Sequence, residues 1–144
     1  MIVFPFRIDK EGHVEFLILL RSDEKYWQAI AGGGDEGELP LDAAIRESWE
    51  EAGIPRSARF IPLHSVASVP VHHFKDREHW PKSLSEIPEY SFAVECPTDY
   101  IVKLSAEHTD IQWLSYEKAF SELKWESNKT ALSELNRKIQ SKAD

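Results

Sequence analysis

The sequence predicts a mixed α+β domain in which strands are sandwiched by two or three helices. Three observations predict it. The first twenty residues hold two apolar, β-branched stretches divided by a polar turn. Residues 43 to 52 form a breaker-free segment between Pro40, which suits a helix start, and Gly53, which suits a helix end, and the last third carries apolar residues at helical spacing. Strands and helices mixed along one chain of 144 residues are built around a single core, so one domain is expected.

Taken in order, Ile2 to Ile8 and His13 to Leu20 read as a β-hairpin turning at Asp9 to Gly12. Trp27 to Ala31 reads as a short strand running into Gly32, Gly33 and Gly34, whose open backbone lets a ligand come close. Pro40 suits a first helical turn, Asp42 favours the positive end of the helix, and Gly53 suits the residue after its last turn. Phe60 to Val69 and Tyr90 to Cys96 read as strands, separated by a polar irregular loop from Val71 to Pro88. Ile111 to Leu114 reads as a strand, and Tyr116 to Leu123 and Lys129 to Gln140 as helices, with Asn128 capping the last.

Composition excludes several classes. No apolar run approaches the roughly 18 residues that span a membrane, and the first residues lack a secretory layout, so a cytoplasmic protein without a membrane partner is expected. Cys96 stands alone, which rules out an internal disulfide or a cysteine zinc cage and leaves it as a buried structural thiol. His72, His73 and His79 read as solvated loop histidines. A net charge of −8 repels nucleic acid polymers. A phosphorylated small molecule meets the same repulsion, and a divalent cation at its binding site would remove it.

The chemistry concentrates in the helix. Glu47, Glu50 and Glu51 are three and four residues apart and project from one face. Each close pair of like charges costs roughly 0.2–0.5 kcal/mol when exposed, which a hard cation with oxygen ligands offsets; magnesium suits such a cluster, and Arg46 neutralises part of it. By itself the spacing is also that of an ordinary solvated helix face. The wider pattern decides between the two: Gly32, five residues, Glu38, seven residues, Arg46 and Glu47, then Glu50, Glu51, Ala52, Gly53 and Ile54. At about 6% usage per residue type, seven coincident fixed positions arise by chance well below about once in a million chains of this size.

That pattern resembles the Nudix box. The resemblance implies an α/β/α sandwich with a mixed central sheet and a magnesium-dependent hydrolase, manganese being a possible substitute. It implies that Glu47, Glu50 and Glu51 bind the metal, that Arg46 orients Glu50, that the carbonyls near Ala31 and Gly32 add a ligand in some relatives, and that Glu38 supports the loop and helix. Glu47 is one candidate for the general base. Ser48 departs from the pattern, standing where an aliphatic residue is usual, and its hydroxyl is expected to bond back to the helix.

Outside the box, Tyr26-Trp27-Gln28, Glu107-His108, Ile111 to Leu114 and Lys124 to Ala131 are similar to stretches of the bacterial dATP and dihydroneopterin triphosphate pyrophosphohydrolases. This likeness implies that Glu107 completes the metal site, with Asp110 as the fallback. Trp27 is a candidate for stacking on a pterin or purine, though core packing explains it equally well. Arg21 and Lys25 are candidates for the substrate phosphates, as is the glycine loop at Gly33, with surface charge the plain alternative for the two cations. Hydrolysis of a nucleoside or pterin triphosphate to monophosphate and pyrophosphate is the leading expectation. A dinucleoside polyphosphate hydrolase or a silent nucleotide-binding domain are the alternatives, and either a monomer or a homodimer fits.

Overall fold

A computed structural model describes residues 1–70, 86–106 and 108–143. The elements run β1 (Ile2–Ile8), β2 (Val14–Arg21), β3 (Trp27–Gln28), β4 (Ile30–Ala31), α1 (Pro40–Ala52), β5 (Phe60–Pro70), β6 (Glu86–Glu95), β7 (His108–Leu114), α2 (Tyr116–Glu122) and α3 (Glu126–Ala143). Among the described residues the seven strands join one mixed sheet, in which β1 and β6 are parallel and the other pairs antiparallel.

Alternation along the strands divides the interior into two layers. Ile2, Phe4 and Phe6 of β1 and Phe16 and Ile18 of β2 meet Ala119, Leu123, Leu132 and Leu135 of the α2 and α3 side. Val3, Leu17, Leu19 and Ile30 point the opposite way, toward Ala44 and Ala52 of α1. This is the expected α/β/α sandwich. Cys96 lies in the α1 layer, where burial pushes its thiol up to about 11, as suits a structural role.

The sheet contains a fork. Phe16 pairs with Phe6 on one side and Leu114 on the other, and Leu19 pairs with Gln28 and Ile111, so β1 and β3 adjoin the same edge of β2 in succession. Likewise Ile2 pairs with Ala31 on one side and Ser91 on the other. The hairpin strands therefore pair only near their turn and then diverge, with residues 27–31 wedged between them. Pro5 falls between the β1 residues paired to β4 and those paired to β2, where a missing N–H is tolerated.

Several boundaries differ from those the sequence predicts. Trp27 to Ala31 is two short strands because the Ala29 N–H leaves the ladder and donates to Asn128 Oδ1 at 2.9 Å. Asn128 is thus a buried interior residue of α3 and not its cap: the helix begins at Glu126, and the Trp125 carbonyl accepts from the Asn128 and Lys129 N–H groups. Strand β6 starts at Glu86 and not at Tyr90, since pairing with β5 carries the ladder through Pro88. The remainder of the expected 71–88 loop, with His72, His73 and His79, lies outside the described residues. Strand β7 gains His108 to Asp110 through pairing with β2.

On β5, three residues between Pro62 and Val66 oppose a single residue between their β6 partners, Phe92 and Tyr90. Glu134 of α3 holds this bulge, accepting from the His64 N–H at 2.6 Å, the Ser65 N–H at 2.7 Å and Ser65 Oγ. Among the described residues no helix is long and apolar enough to cross a membrane.

Candidate active site

Strand β4 delivers the chain from the fork into the glycine loop, and α1 crosses the sheet beside it. Ile30 faces the α1 layer, so Gly32, two residues on, faces it too. There it lies against Glu47: a methyl group built on Gly32 would fall 2.7 Å from Glu47 Oε1. Any larger residue would displace that carboxylate or the loop. Gly33 faces open space, and its carbonyl accepts from Arg46 Nη2 at 3.1 Å. At the far end of α1, Gly53 adopts the left-handed φ of 70° expected of the residue that ends a helix.

Arg46 is the hub. Its Nε and Nη2 grip Glu38 through two bonds of 3.0 Å, and its Nη1 reaches Glu47 Oε1 at 3.0 Å and Glu50 Oε2 at 3.2 Å. Glu38 also accepts the Asp35 N–H at 2.9 Å, which closes the loop onto the helix. The Arg46 bond and then the Asp35 N–H hold the Glu38 carboxyl below its ordinary range, while Glu38 raises the guanidinium above its own. Arg46 therefore contacts Glu50, the residue it was expected to orient, but its main partner is Glu38, which ties the loop to the helix.

The three glutamates span an arc of about 100° around α1, since each residue advances the helix by that angle. They do not share one solvent face. Glu51 is 3% exposed and turns toward the sheet, Glu47 is half-buried, and the Glu50 side chain is 52% exposed. Ser48 completes the inward stripe with Ala44 and Ala52. Its hydroxyl is fully buried and has no hydrogen-bond partner among the described residues, contrary to the expected bond back to the helix.

Residues 100–105 close the end of α1. Tyr100 Oη donates to the Ala52 carbonyl at 2.7 Å, the Lys103 N–H to the same carbonyl at 3.0 Å, and the Ser105 N–H to the Glu51 carbonyl at 3.2 Å. This brings the chain before β7 to the helix turn that carries Glu51. Glu107 lies outside the described residues, and Asp110 is an exposed residue of β7.

The other expected contacts are dispersed. Arg21 holds Asp23 through two bonds of 2.8 Å, an arrangement that also keeps the Asp23 carboxyl well below its usual range. Lys25 sits exposed in the following turn with a left-handed φ of 55°. Trp27 packs against the α2 and α3 layer, across the sheet from α1, and its carbonyl accepts the Lys124 N–H at 3.1 Å. Core packing therefore accounts for Trp27 without a ligand.

The donor set beside Gly32 suits a hard divalent cation: Glu47, Glu50 and Glu51 offer oxygen ligands, and Gly32 leaves the Glu47 carboxylate the volume a Cβ would fill. Among the described residues no three acidic or imidazole groups are already gathered as a cation cage. The geometry explains this, because Glu47 and Glu50 are turned onto Arg46, which neutralises them in place.

Known proteins resemble this chain in sequence and fold. A family model for the NUDIX domain matches residues 2–135. Dihydroneopterin triphosphate diphosphatase of Haemophilus influenzae is 31% identical over 121 residues, covering 81% of this chain and 75% of that protein. Asymmetrical bis(5'-nucleosyl)-tetraphosphatase of Rattus norvegicus is 31% identical over 128 residues, covering 84% and 78%. A Listeria monocytogenes structure described as a candidate NUDIX hydrolase superposes with a TM-score of 0.86 at 38% identity, covering 98% of this chain and 93% of that one.

Proposed function

The chain belongs to the Nudix family of hydrolases, and on that premise we propose that it converts a nucleoside or pterin triphosphate to the monophosphate and pyrophosphate. The observation that carries this reading is the network in which one guanidinium joins Glu38, Glu47, Glu50 and the Gly33 carbonyl, fixing the glycine loop against the carboxylate helix.

In this reading Glu47, Glu50 and Glu51 hold magnesium, or manganese in its place, with Glu107, the residue that precedes β7 in the sequence, as a further ligand. Bound there, the cation supplies charge neutralisation to the phosphates and acidity to a bound water. The protein's own residues do the positioning. Gly32 and Gly33 let the phosphates approach the backbone, Arg46 sets the Glu47 and Glu50 carboxylates, and the buried Glu51 is held by the packing of α1 on the sheet. Arg21 and Lys25 contribute cationic groups for the outer phosphates, which in the case of Arg21 requires release from Asp23.

A second reading, asymmetric cleavage of a dinucleoside tetraphosphate, is supported by the rat relative, which is as similar in sequence as the bacterial one. The deciding experiment is pyrophosphate and nucleotide release, with and without magnesium, from dihydroneopterin triphosphate, dATP, the other nucleoside triphosphates and a diadenosine polyphosphate. Magnesium-dependent release led by the pterin or dATP is expected, and preference for the dinucleotide would favour the second reading. Glu51→Gln is expected to remove most turnover while leaving the fold intact, and a wild-type rate in that variant would reject the metal assignment.

A further inference from the structure

The sheet's register aligns a row of residues leading away from the carboxylates. Ile2 pairs with Ala31 of β4 and with Ser91 of β6, so Gly32 and Tyr90, each one residue further along, flank Met1 at the same end of the sheet. Val66 of β5 lies directly opposite Tyr90.

All four face α1. Gly32 touches Glu47, and Met1 packs on the α1-side core. Tyr90 follows the alternation of Phe92 and Val94, which belong to that core, and Val66 shares the face of its cross-strand partner. The β6 side of this alternation is continuous, the extra residues of the bulge lying on β5. Tyr90 is 41% exposed and Val66 is more so, forming an open aromatic and aliphatic ledge beside an acidic, phosphate-binding end.

Two strand spacings separate Tyr90 from Gly32, a distance of about 10 Å. That matches the reach of the sugar or side chain that joins a triphosphate to its heterocycle. Trp27 points into the opposite layer and cannot serve the same cleft.

We infer that Tyr90, backed by Val66, is the platform on which the substrate's flat heterocycle stacks while its phosphates lie at Gly32 and Glu47. The inference deepens the triphosphate reading and rests on it. An aromatic face is selective for a ring over none and tolerant among rings, so Tyr90 sets affinity for the class of planar nitrogen heterocycles more than for one member.

The test compares wild type, Tyr90→Phe and Tyr90→Ala on the preferred triphosphate, with inorganic tripolyphosphate as a ringless competitive inhibitor. Tyr90→Ala is expected to raise KM roughly tenfold or more with little change in kcat, Tyr90→Phe to stay near wild type, and the tripolyphosphate inhibition constant to be unchanged in both. An unchanged KM in an active Tyr90→Ala variant, or an equal weakening of tripolyphosphate, would overturn the assignment and leave the triphosphate reading standing. Absence of pyrophosphate release by wild type from every triphosphate would reject that reading and this inference together.

Discussion

Replacing Arg46 by lysine keeps the charge and removes the fork. A guanidinium presents donors in several fixed directions in one plane, and here they are used on two oxygens of Glu38, on Glu47, on Glu50 and on the Gly33 carbonyl. An ammonium carries its donors at one point and can keep one of the carboxylates at good geometry. The Arg46 and Glu38 side chains are 21% and 17% exposed, so the lost paired bonds are partly shielded from water. With hydrogen bonds to charged groups contributing about 1.5–3 kcal/mol each when well formed, and discounting for residual solvent, Arg46→Lys should cost about 2–3 kcal/mol of stability. Urea unfolding at neutral pH measures it, and net charge is constant by design. Because Glu47 and Glu50 also lose their orientation, turnover should fall by about 10- to 100-fold, the effect usual for residues that orient metal ligands. A loss below about 1 kcal/mol together with unaltered turnover would refute the claim that Arg46 organises the site.

Two further outcomes follow from buried polar groups. Ser48→Ala deletes a hydroxyl that is buried without a partner among the described residues, and should stabilise the fold by about 1 kcal/mol in the same unfolding assay; destabilisation would show that the hydroxyl has a partner after all. Glu134→Gln places an amide before two backbone N–H donors and should cost about 2 kcal/mol near pH 7. Burial pushes the Glu134 carboxyl up, but the hydrogen bonds from His64 and Ser65 outweigh it and leave it below 4.5. Its contribution is therefore present above about pH 4.5 and lost as pH falls through the lower folded value, so wild type and variant should converge in acid. A difference independent of pH would contradict that assignment.

Local signals were enough for much of this architecture. The apolar stretches Ile2 to Ile8 and His13 to Leu20 on either side of a polar turn identified the hairpin, Pro40 and Gly53 bounded α1, and the spacing from Gly32 to Glu51 pointed to the candidate site. What escaped depends on contacts between distant segments. Asn128 reads as a cap because its type and position suit one, yet it is recruited by the Ala29 N–H, ninety-nine residues away. Glu51 and Glu50 are adjacent and chemically identical, and only the packing of α1 on the sheet buries one and exposes the other. Tyr90 reads as an ordinary strand residue until the parallel pairing of β1 with β6 places it near Gly32. Ser48 was visible as a departure from the box, but whether its hydroxyl finds a partner is decided by neighbours that no helix pattern specifies.

The fork in the sheet also governs when the site can exist during folding. Its walls come from residues 30–38, from α1, from the start of β1 and from Tyr90, and the parallel partnership of Ile2 with Ser91 closes most of the intervening chain into one loop. Such long-range closure is entropically costly and tends to come late. An incompletely folded chain can therefore present α1 with all its carboxylates and still lack the geometry to use them. Appearance of activity during refolding would then report completion of the central sheet, and would lag behind the formation of helix.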